Sequence, residues 1–512
     1  MKKKILCSLM AVGLVMMSCK KELDIPNPNE ASVEVYWTNA DEAVKGVHAI
    51  YSTLHRGAIS RWMPFYYIIR SDEGRSSSGD PNIINNMDQF LVTDYNYGNA
   101  YDIWRDNYVG IFRANQVIAN VPGIDMDANL KQRLIGEAHF LRALFYYHLV
   151  TLWGNVPLML EPSTPEDVPP TATQAEVWAQ IQADLTEAVN SLPARYDNPS
   201  DLGRATKGAA YAMLAKALMQ QRKYNEALTP LAWLVEGEGK SIYNLMPNYR
   251  DNFLVSTENN VESVFEWQFL MNPAENHDDD TDPRIDNLNT GTSIAQFFAP
   301  PGVGWSDGEA RRWLVDEFLE EETTSGGRDP RLAASLLFNY TDERGPQNTM
   351  IYGESFAQRY GADNERVWFR KFLNDHWKNQ EGYSSPNNWR YIRYADVLLM
   401  YAESLNATGQ TAQAYQYVDR VRQRAGLAPL TDVMPGLNQQ SFLTQLKHER
   451  VTELTGEGHR WNDLARWGDL GPQLVQRDPA FSNFVVGKHE LLPIPTQEID
   501  INPNLIQNEG WR

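Results

Sequence analysis

Aromatic rings interleaved with side-chain amides are the chemistry this sequence offers most clearly. Tyr95-Asn96-Tyr97-Gly98-Asn99-Ala100-Tyr101 mixes rings with amides, and Tyr95 and Tyr97 share one side wherever the chain is locally extended. Arg70, Asp72 and Arg75 lie in the same stretch, preceded by Trp62. Further on, Gly302-Val303-Gly304-Trp305-Ser306-Asp307 places a large ring on a glycine-flanked loop, with Trp377 and Tyr383 held in reserve on a later one. A sugar presents an apolar C–H face edged by hydroxyls. A neutral glycan is therefore matched by an exposed aromatic platform bordered by amides, carboxylates and arginine. Were a glycan the ligand, the binding set would be Tyr95, Tyr97 and Trp305 for stacking, with Asn96, Asn99, Arg70 and Asp72 hydrogen bonding around them. The competing expectation is that each ring packs under its own loop, as most aromatics do. Trp104 and Trp153 sit on helix faces and are expected in the core.

Catalytic and metal patterns come close and stop short. His448-Glu449 opens an H-E-x-x-H zinc pattern, but position 452 is threonine, so the second ligand on that helical face is missing. Gly239-Lys240-Ser241 ends like a phosphate loop, yet Leu234 stands where its first glycine belongs. Asp278, Asp280 and Asp282 imitate half of a calcium loop before Pro283 blocks the turn, so a solvated acidic loop is expected there. No catalytic residue, metal or cofactor is expected. A surface glycosidase using two carboxylates such as Asp72 and Asp307 stays open, because such a pair is defined by its spacing in space.

Charge and leader narrow the setting. Lys and Arg total 46 against 66 Asp and Glu, a net charge of −20, which repels phosphate backbones and argues against nucleic acid as a partner. Lys2 to Lys4 precede the apolar run Ile5 to Met17, which is too short for a bilayer span and reads as a signal peptide over residues 1–18. The run ends in Ser18-Cys19, similar to a bacterial lipobox, so Cys19 is the expected lipidation site and new N-terminus. The other cysteine, Cys7, lies inside the leader, leaving no disulfide in the mature chain. Residues 19–30, with Lys20-Lys21-Glu22-Leu23-Asp24 and then Pro26 and Pro28, suit an extended surface tether. Phe140 to Trp153, the most apolar later segment, is interrupted by Arg142 and His148 and does not read as a span.

Most long segments carry a helical period. Asp41–His55 (capped by Asn39 or Thr38), Leu130–Trp153, Thr173–Leu192, Thr206–Gln221, Asn225–Val235, Arg393–Thr408, Ala412–Arg424 and Gln440–Leu454 are predicted helices. Strands are predicted only at Gln89–Thr93, Ser263–Phe269 and Val367–Phe372. Ala215, Leu218 and Ala227 repeat the spacing of Ala402, Leu405 and Ala414, the small-residue pattern of tetratricopeptide hairpins. Two regions, near 56–101 and 271–388, resist periodic reading apart from a helix near Glu309–Glu322. They are expected to be irregular ligand-binding inserts in a single domain over 19–512.

Longer motifs then resemble one family. Gly136-Glu137-Ala138-x-x-Leu141-Arg142-Ala143-x-x-Tyr146 runs into Trp153-Gly154-x-Val156-Pro157-Leu158. Arg393-Tyr394-Ala395-Asp396-Val397-Leu398-Leu399, Val421-Arg422-x-Arg424-Ala425-Gly426-Leu427, Glu449-Arg450-x-x-Glu453-Leu454 and the tail Leu491-Leu492-Pro493-Ile494-Pro495 follow in order. Together they resemble the SusD/RagB family of Bacteroidetes outer-membrane lipoproteins. The resemblance implies a mainly α fold, a SusD-like α-α superhelix of four tetratricopeptide-like units. It also implies surface capture of oligosaccharide, without catalysis, for delivery to a TonB-dependent outer-membrane transporter. Arg142, Arg393, Glu403, Arg450 and Arg460 are expected in buried ion pairs that fix helix packing. The alternatives are a peptide-binding lid of a peptide importer, the glycosidase above and a purely structural assembly protein.

Overall fold

The computed structural model describes residues 36–78, 86–91, 98–164, 166–271, 290–342, 344–345 and 349–512. Its helices begin where the sequence supplies caps. Asn39 accepts the Glu42 amide at 3.2 Å and starts α1, Ala40–Ser52. Thr173 and Glu176 form a capping box ahead of α4, Gln174–Ser191, and the Thr206 hydroxyl opens α5, Lys207–Gln220. Between α1 and α4 run the two longest helices, α2 (Gly98–Asn120) and α3 (Ala128–Trp153), the latter stopped by Gly154 at φ +73°. Then come α6 (Tyr224–Val235), α7 (Tyr394–Ala407), α8 (Thr411–Arg424), α9 (Gln439–Leu454) and α10 (Arg460–Trp467). None of the described helices is long and apolar enough to cross a membrane.

From α2 through α8 each helix packs on the next, and α9 closes against α7. The two hairpins read from the alanine spacing are thus neighbours in space: α6 lies against α7, and the loop-rich stretch 236–393 leaves and returns between them. Ala215, Ala227, Ala402 and Ala414 have no accessible surface, as close helix approach requires. Ala227→Leu is expected to overpack the α5–α6 hairpin by ~1–3 kcal/mol and lower the thermal midpoint, read by circular dichroism. An unchanged midpoint would contradict this packing.

Strands are short and occur in pairs. β1 (Gly74–Ser76) runs antiparallel to β3 (Gly308–Ala310), and β2 (Ser263–Trp267) to β4 (Trp389–Arg393). The predicted Val367–Phe372 strand is reduced to Trp368–Phe369. Gln89 and Phe90 form a turn instead of a strand. The predicted Glu309–Glu322 helix begins as β3 and is helical only over Trp313–Phe318.

The first insert departs from expectation. Ala58–Trp62 forms a wide helical turn and Met63–Ile69 an α-helix, both buried on every face. A helix buried all round shows no amphipathic period, which is why Trp62-Met63-Pro64-Phe65-Tyr66-Tyr67 read as irregular. This part of the insert is core.

The family-motif charges form the expected buried ion pairs. Arg142 grips Asp184 through Nε (2.8 Å) and Nη2 (2.6 Å), Arg450 binds Asp463 at 2.7 Å and Asp396 at 2.9 Å, and Arg466 pairs with Glu403. At the centre Arg393 faces Glu453 at 2.9 Å, Glu457 at 2.7 Å and Glu262, while Arg424 and Arg331 also reach Glu453. Glu73 stands apart from these pairs. Its carboxyl accepts the Gly456 amide at 3.3 Å; burial and the neighbouring Asp72 charge push it up to about 8, against the pull of Arg460 and Lys371. The folded protein keeps a proton there that the unfolded chain, near pH 4, gives up. The stability that this group contributes therefore falls as pH rises from about 4 to about 8. Glu73→Gln cannot ionise, so at pH 8 it is expected to exceed the wild type in unfolding free energy by on the order of a few kcal/mol, with no gain at pH 4, in denaturant titrations.

Candidate functional site

Pairing of β1 with β3 stitches the first insert to the second. Ser76 lies opposite Gly308, and the Ser77 amide continues the ladder by donating to Asp307 O at 2.8 Å. The next residue back along the second insert is Ser306, and before it Trp305.

Trp305 stands on a loop that its own backbone holds rigid. The Trp305 amide donates to Gln296 O (2.7 Å), Ser306 to Ala299 O (2.9 Å) and Asp307 to Phe297 O (2.7 Å). Gly304 is required here, because a Cβ would come within 2.5 Å of the Ala299 Cβ. Ser306 holds φ +60° with its hydroxyl buried, accepting Trp368 Nε1 at 2.8 Å and Arg366 at 2.9 Å. Strain of this kind persists only where surroundings over-determine it. The indole above is 52% exposed. It meets the Phe297 ring edge-on at 4.8 Å and Tyr383 at 5.2 Å. Phe297 rests in turn on Trp62, and the Arg61 guanidinium lies 4.2 Å over both rings. Trp305 is thus a half-open ring on a fixed base.

A second loop supplies its neighbours. Glu381 donates its amide to Val303 O at 2.8 Å, and Thr292 and Ser385 exchange backbone bonds of 2.9 and 2.8 Å, so the Tyr383 loop is tied to the Trp305 loop. The Glu381 carboxylate, pushed up by burial, is enclosed by Tyr352 OH and the Asn374 amides. On the same loop Trp377 is 46% exposed and anchored by Nε1 to Asn374 at 3.2 Å, with Lys378 Nζ 5.1 Å from its ring. Trp305 and Tyr383 therefore form an aromatic surface on two hydrogen-bonded loops, and Trp377 is a further exposed ring on the second of them. Tyr383, one of the two rings held in reserve, stands against Trp305. Phe297 sits in the packed segment beneath, and only its contacts reveal its supporting role.

The polar partners fare differently. Tyr95, Asn96 and Tyr97 lie outside the described residues, as does the Asp278–Asp282 acidic run. Asn99 is half-buried in the first turn of α2. Arg70 and Asp72 are corrections. Arg70 is buried, donating to His489 O at 3.0 Å with its guanidinium 4.1 Å over Trp461, and burial draws its pKa down to about 10. Asp72 has no accessible surface. Burial acts to raise its pKa, but Arg460 (2.7 Å) and Arg477 (3.2 Å) hold it below the usual carboxylate range. Short polar residues beside an aromatic run signal a rim equally well as a buried ion pair; here Arg460, far away in sequence, decides it. Exposed charge beside the Trp305 loop comes instead from Arg75, paired with Glu309 at 3.0 Å. As expected, Trp104 and Trp153 are core, edge to face at 5.3 Å.

Two cavities of about 260 Å³ each lie elsewhere and share the Leu202–Arg204 turn. Their amides bond to one another: Asn259 and Gln268 exchange bonds of 2.9 and 3.0 Å. His448, from the incomplete zinc pattern, bonds Glu317 at 2.9 Å. Burial acts to lower its pKa, but Glu317, Glu449 and Glu321 together raise it, as for an imidazolium held by carboxylates.

Comparison with known proteins agrees with this architecture. Residues 236–511 match the family described as "SusD family", and residues 60–219 match "Starch-binding associating with outer membrane". The chain is 30% identical over 436 residues, 80% of each chain, to SusD-like protein P25 of Formosa agariphila. A SusD superfamily protein from Bacteroides vulgatus superposes with a TM-score of 0.81 at 25% identity, covering 93% of this chain and all of that one. A solved "Laminarin binding SusD-like protein" superposes at 0.76 with 28% identity, covering 92% and 100%. The stacked helices, the buried arginine framework and these matches over most of the length lead to one conclusion: the chain belongs to the SusD family.

Proposed function

We propose that this protein captures oligosaccharide at the cell surface without catalysis and passes it to a partner TonB-dependent outer-membrane transporter, held to the membrane by a lipid on Cys19. The observation that carries the reading is the half-exposed Trp305 ring on its rigid loop, flanked by Tyr383. Such a ring offers an apolar face where a sugar's C–H face can stack, and its fixed base lowers the ordering cost of binding. Relatives support the ligand class. One solved neighbour is named as laminarin binding, and a Bacteroides thetaiotaomicron relative, 24% identical, is named "Starch-binding protein SusD". Tyr95, Tyr97, Asn96 and Asn99 remain proposed contributors from the first insert, with Tyr383 and Trp377 replacing Arg70 and Asp72. The glycosidase pair loses one member, because Asp72 is enclosed by Arg460 and Arg477.

The test is calorimetric titration with laminarin and starch oligosaccharides and with peptides of matched size, alongside assay of reducing ends. Binding of glycan with no new reducing ends is expected. Binding of peptide alone, or release of reducing ends, would overturn the reading. For the anchor, Cys19→Ala is expected to leave the protein outside the outer-membrane fraction in cells lacking the partner transporter. Retention in that fraction would count against lipidation.

A further inference from the structure

Two arginines share one acid beside the Trp305 loop. On β3, Glu309 is buried and lies opposite Arg75 of β1, whose Nε donates to Glu309 Oε2 at 3.0 Å. Arg366 reaches the other oxygen, Oε1, and its Nη2 also donates to the Ser306 hydroxyl at 2.9 Å. The Arg366 guanidinium lies 4.8 Å from the Trp368 ring, whose Nε1 bonds the same hydroxyl at 2.8 Å. Ser306 follows Trp305 in the chain, so Arg366 Nη2 lies within ~10 Å of the Trp305 α-carbon. A short oligosaccharide resting on the indole would cross that distance.

The charges do not cancel. Burial acts to raise the Glu309 pKa, but hydrogen bonds from Arg366 and Arg75 hold it below the usual carboxylate range, so one negative charge faces two positive ones. Neither arginine pairs with Asp307, the half-buried acid between Ser306 and β3. Glu381, the acid of the neighbouring loop, is buried against Tyr352 and Asn374. Both guanidiniums keep access to solvent, their side chains being 42% and 39% exposed. Arg75 Nη1 and Arg366 Nε and Nη1 bond no other described residue, which leaves N–H donors on both side chains for a further acceptor. Glu309, Ser306 and Trp368 already fix the two guanidiniums, so little side-chain freedom is lost on binding. The net charge of −20 opposes anions only at long range, because salt screens exposed charges beyond about 10 Å.

Taking Trp305 as a glycan platform, on which this depends, we propose that Arg75 and Arg366 form an acid-binding subsite beside it, and that the oligosaccharide captured here carries a uronic acid carboxylate. A carboxylate suits the pair because its two oxygens can accept from both guanidiniums at once and supply the negative charge that Glu309 alone does not. A sugar hydroxyl supplies no such charge.

Calorimetric titration of the full chain with galacturonate, glucuronate and alginate oligosaccharides, each compared with its carboxyl methyl ester, tests the subsite. Laminarin and starch oligosaccharides serve as neutral references, and a sulfated galactose oligosaccharide as a second kind of anion. At least one uronate is expected to bind roughly ten- to a hundredfold more tightly than its ester, the scale of hydrogen bonds to a charged group. Arg75→Gln leaves Glu309 paired with Arg366, and Arg366→Gln leaves it paired with Arg75. Each variant should bring the uronate-to-ester ratio towards one, with melting curves reporting whether the fold is intact. Uronates bound no better than their esters overturn the subsite; if neutral oligosaccharides bind meanwhile, glycan capture itself stands. An undiminished ratio in both variants overturns it too, as does a preference for the sulfate ester over every uronate. Should neither variant fold, the wild-type ratio decides. Failure of every oligosaccharide to bind overturns the subsite and glycan capture together.

Discussion

Arg393→Ala is expected to lower the unfolding free energy by about 3–5 kcal/mol, a large share of the 5–15 kcal/mol typical of folded domains. The loss follows from what surrounds the guanidinium. Glu262, Glu453 and Glu457 converge on it, and Tyr249 and Phe253 cover it at 5.6 and 5.3 Å, which keeps the cluster away from bulk solvent. Burial alone would raise Glu453; Arg424, Arg393 and Arg331 outweigh it and bring the group down to about 2. Removing one arginine leaves buried carboxylate charge under-compensated, the costly direction for such networks. The signature is in the pH dependence. The wild type owes part of its stability to Glu453 staying ionised, a contribution complete above about pH 4 and lost as pH falls towards 2. The gap between wild type and variant should therefore be full at pH 7 and narrow on acidification. Denaturant midpoints at pH 7 and 3 measure it, and a loss below 1 kcal/mol at pH 7 would show that the network tolerates an unpaired acid.

Trp305→Ala should act on binding and leave folding nearly untouched. Truncating a central ring of an aromatic platform removes about 2 kcal/mol or more of binding energy, roughly 30-fold in affinity. The indole is half exposed and its loop is fixed by backbone bonds to Gln296, Ala299 and Phe297, which alanine retains. Tyr383→Ala removes the edge-on neighbour and is expected to weaken binding less. Calorimetry with laminarihexaose or the cognate oligosaccharide, paired with melting curves, separates the outcomes. Unchanged affinity would move the site off this face; a collapsed melting point would make Trp305 a core residue.

The scaffold was legible because its rules are local. Asn39, Thr173 and Thr206 announce helix starts, Gly154 a stop, and the paired alanines a close hairpin. The buried arginines were legible only through the family resemblance, since no spacing reveals that Arg460 would meet Asp72 across most of the chain. Exposure of Trp305 followed from glycines that keep its loop thin. Burial of Arg70 did not follow from its neighbours, because Trp461, which it covers, arrives from α10. The segment 58–69 misled for a physical reason: a helix enclosed on all sides needs no polar face, so its sequence carries no period.

The departure of residues 236–393 from α6 and their return at α7 has an evolutionary consequence. The two helices that bracket that stretch pack on one another, so its ends are set by the helix stack. Doubling the length of a flexible connection adds only about 0.6 kcal/mol of closure entropy. The exposed loops of that stretch, the Trp305 loop among them, can thus be lengthened or re-sequenced as a cassette, while the helix stack keeps its register. Arg393, the last residue before α7, is the clasp nail of that cassette. It joins Glu262 inside the exchangeable stretch to Glu453 in the permanent stack, so any viable replacement must bring its own acid to that point.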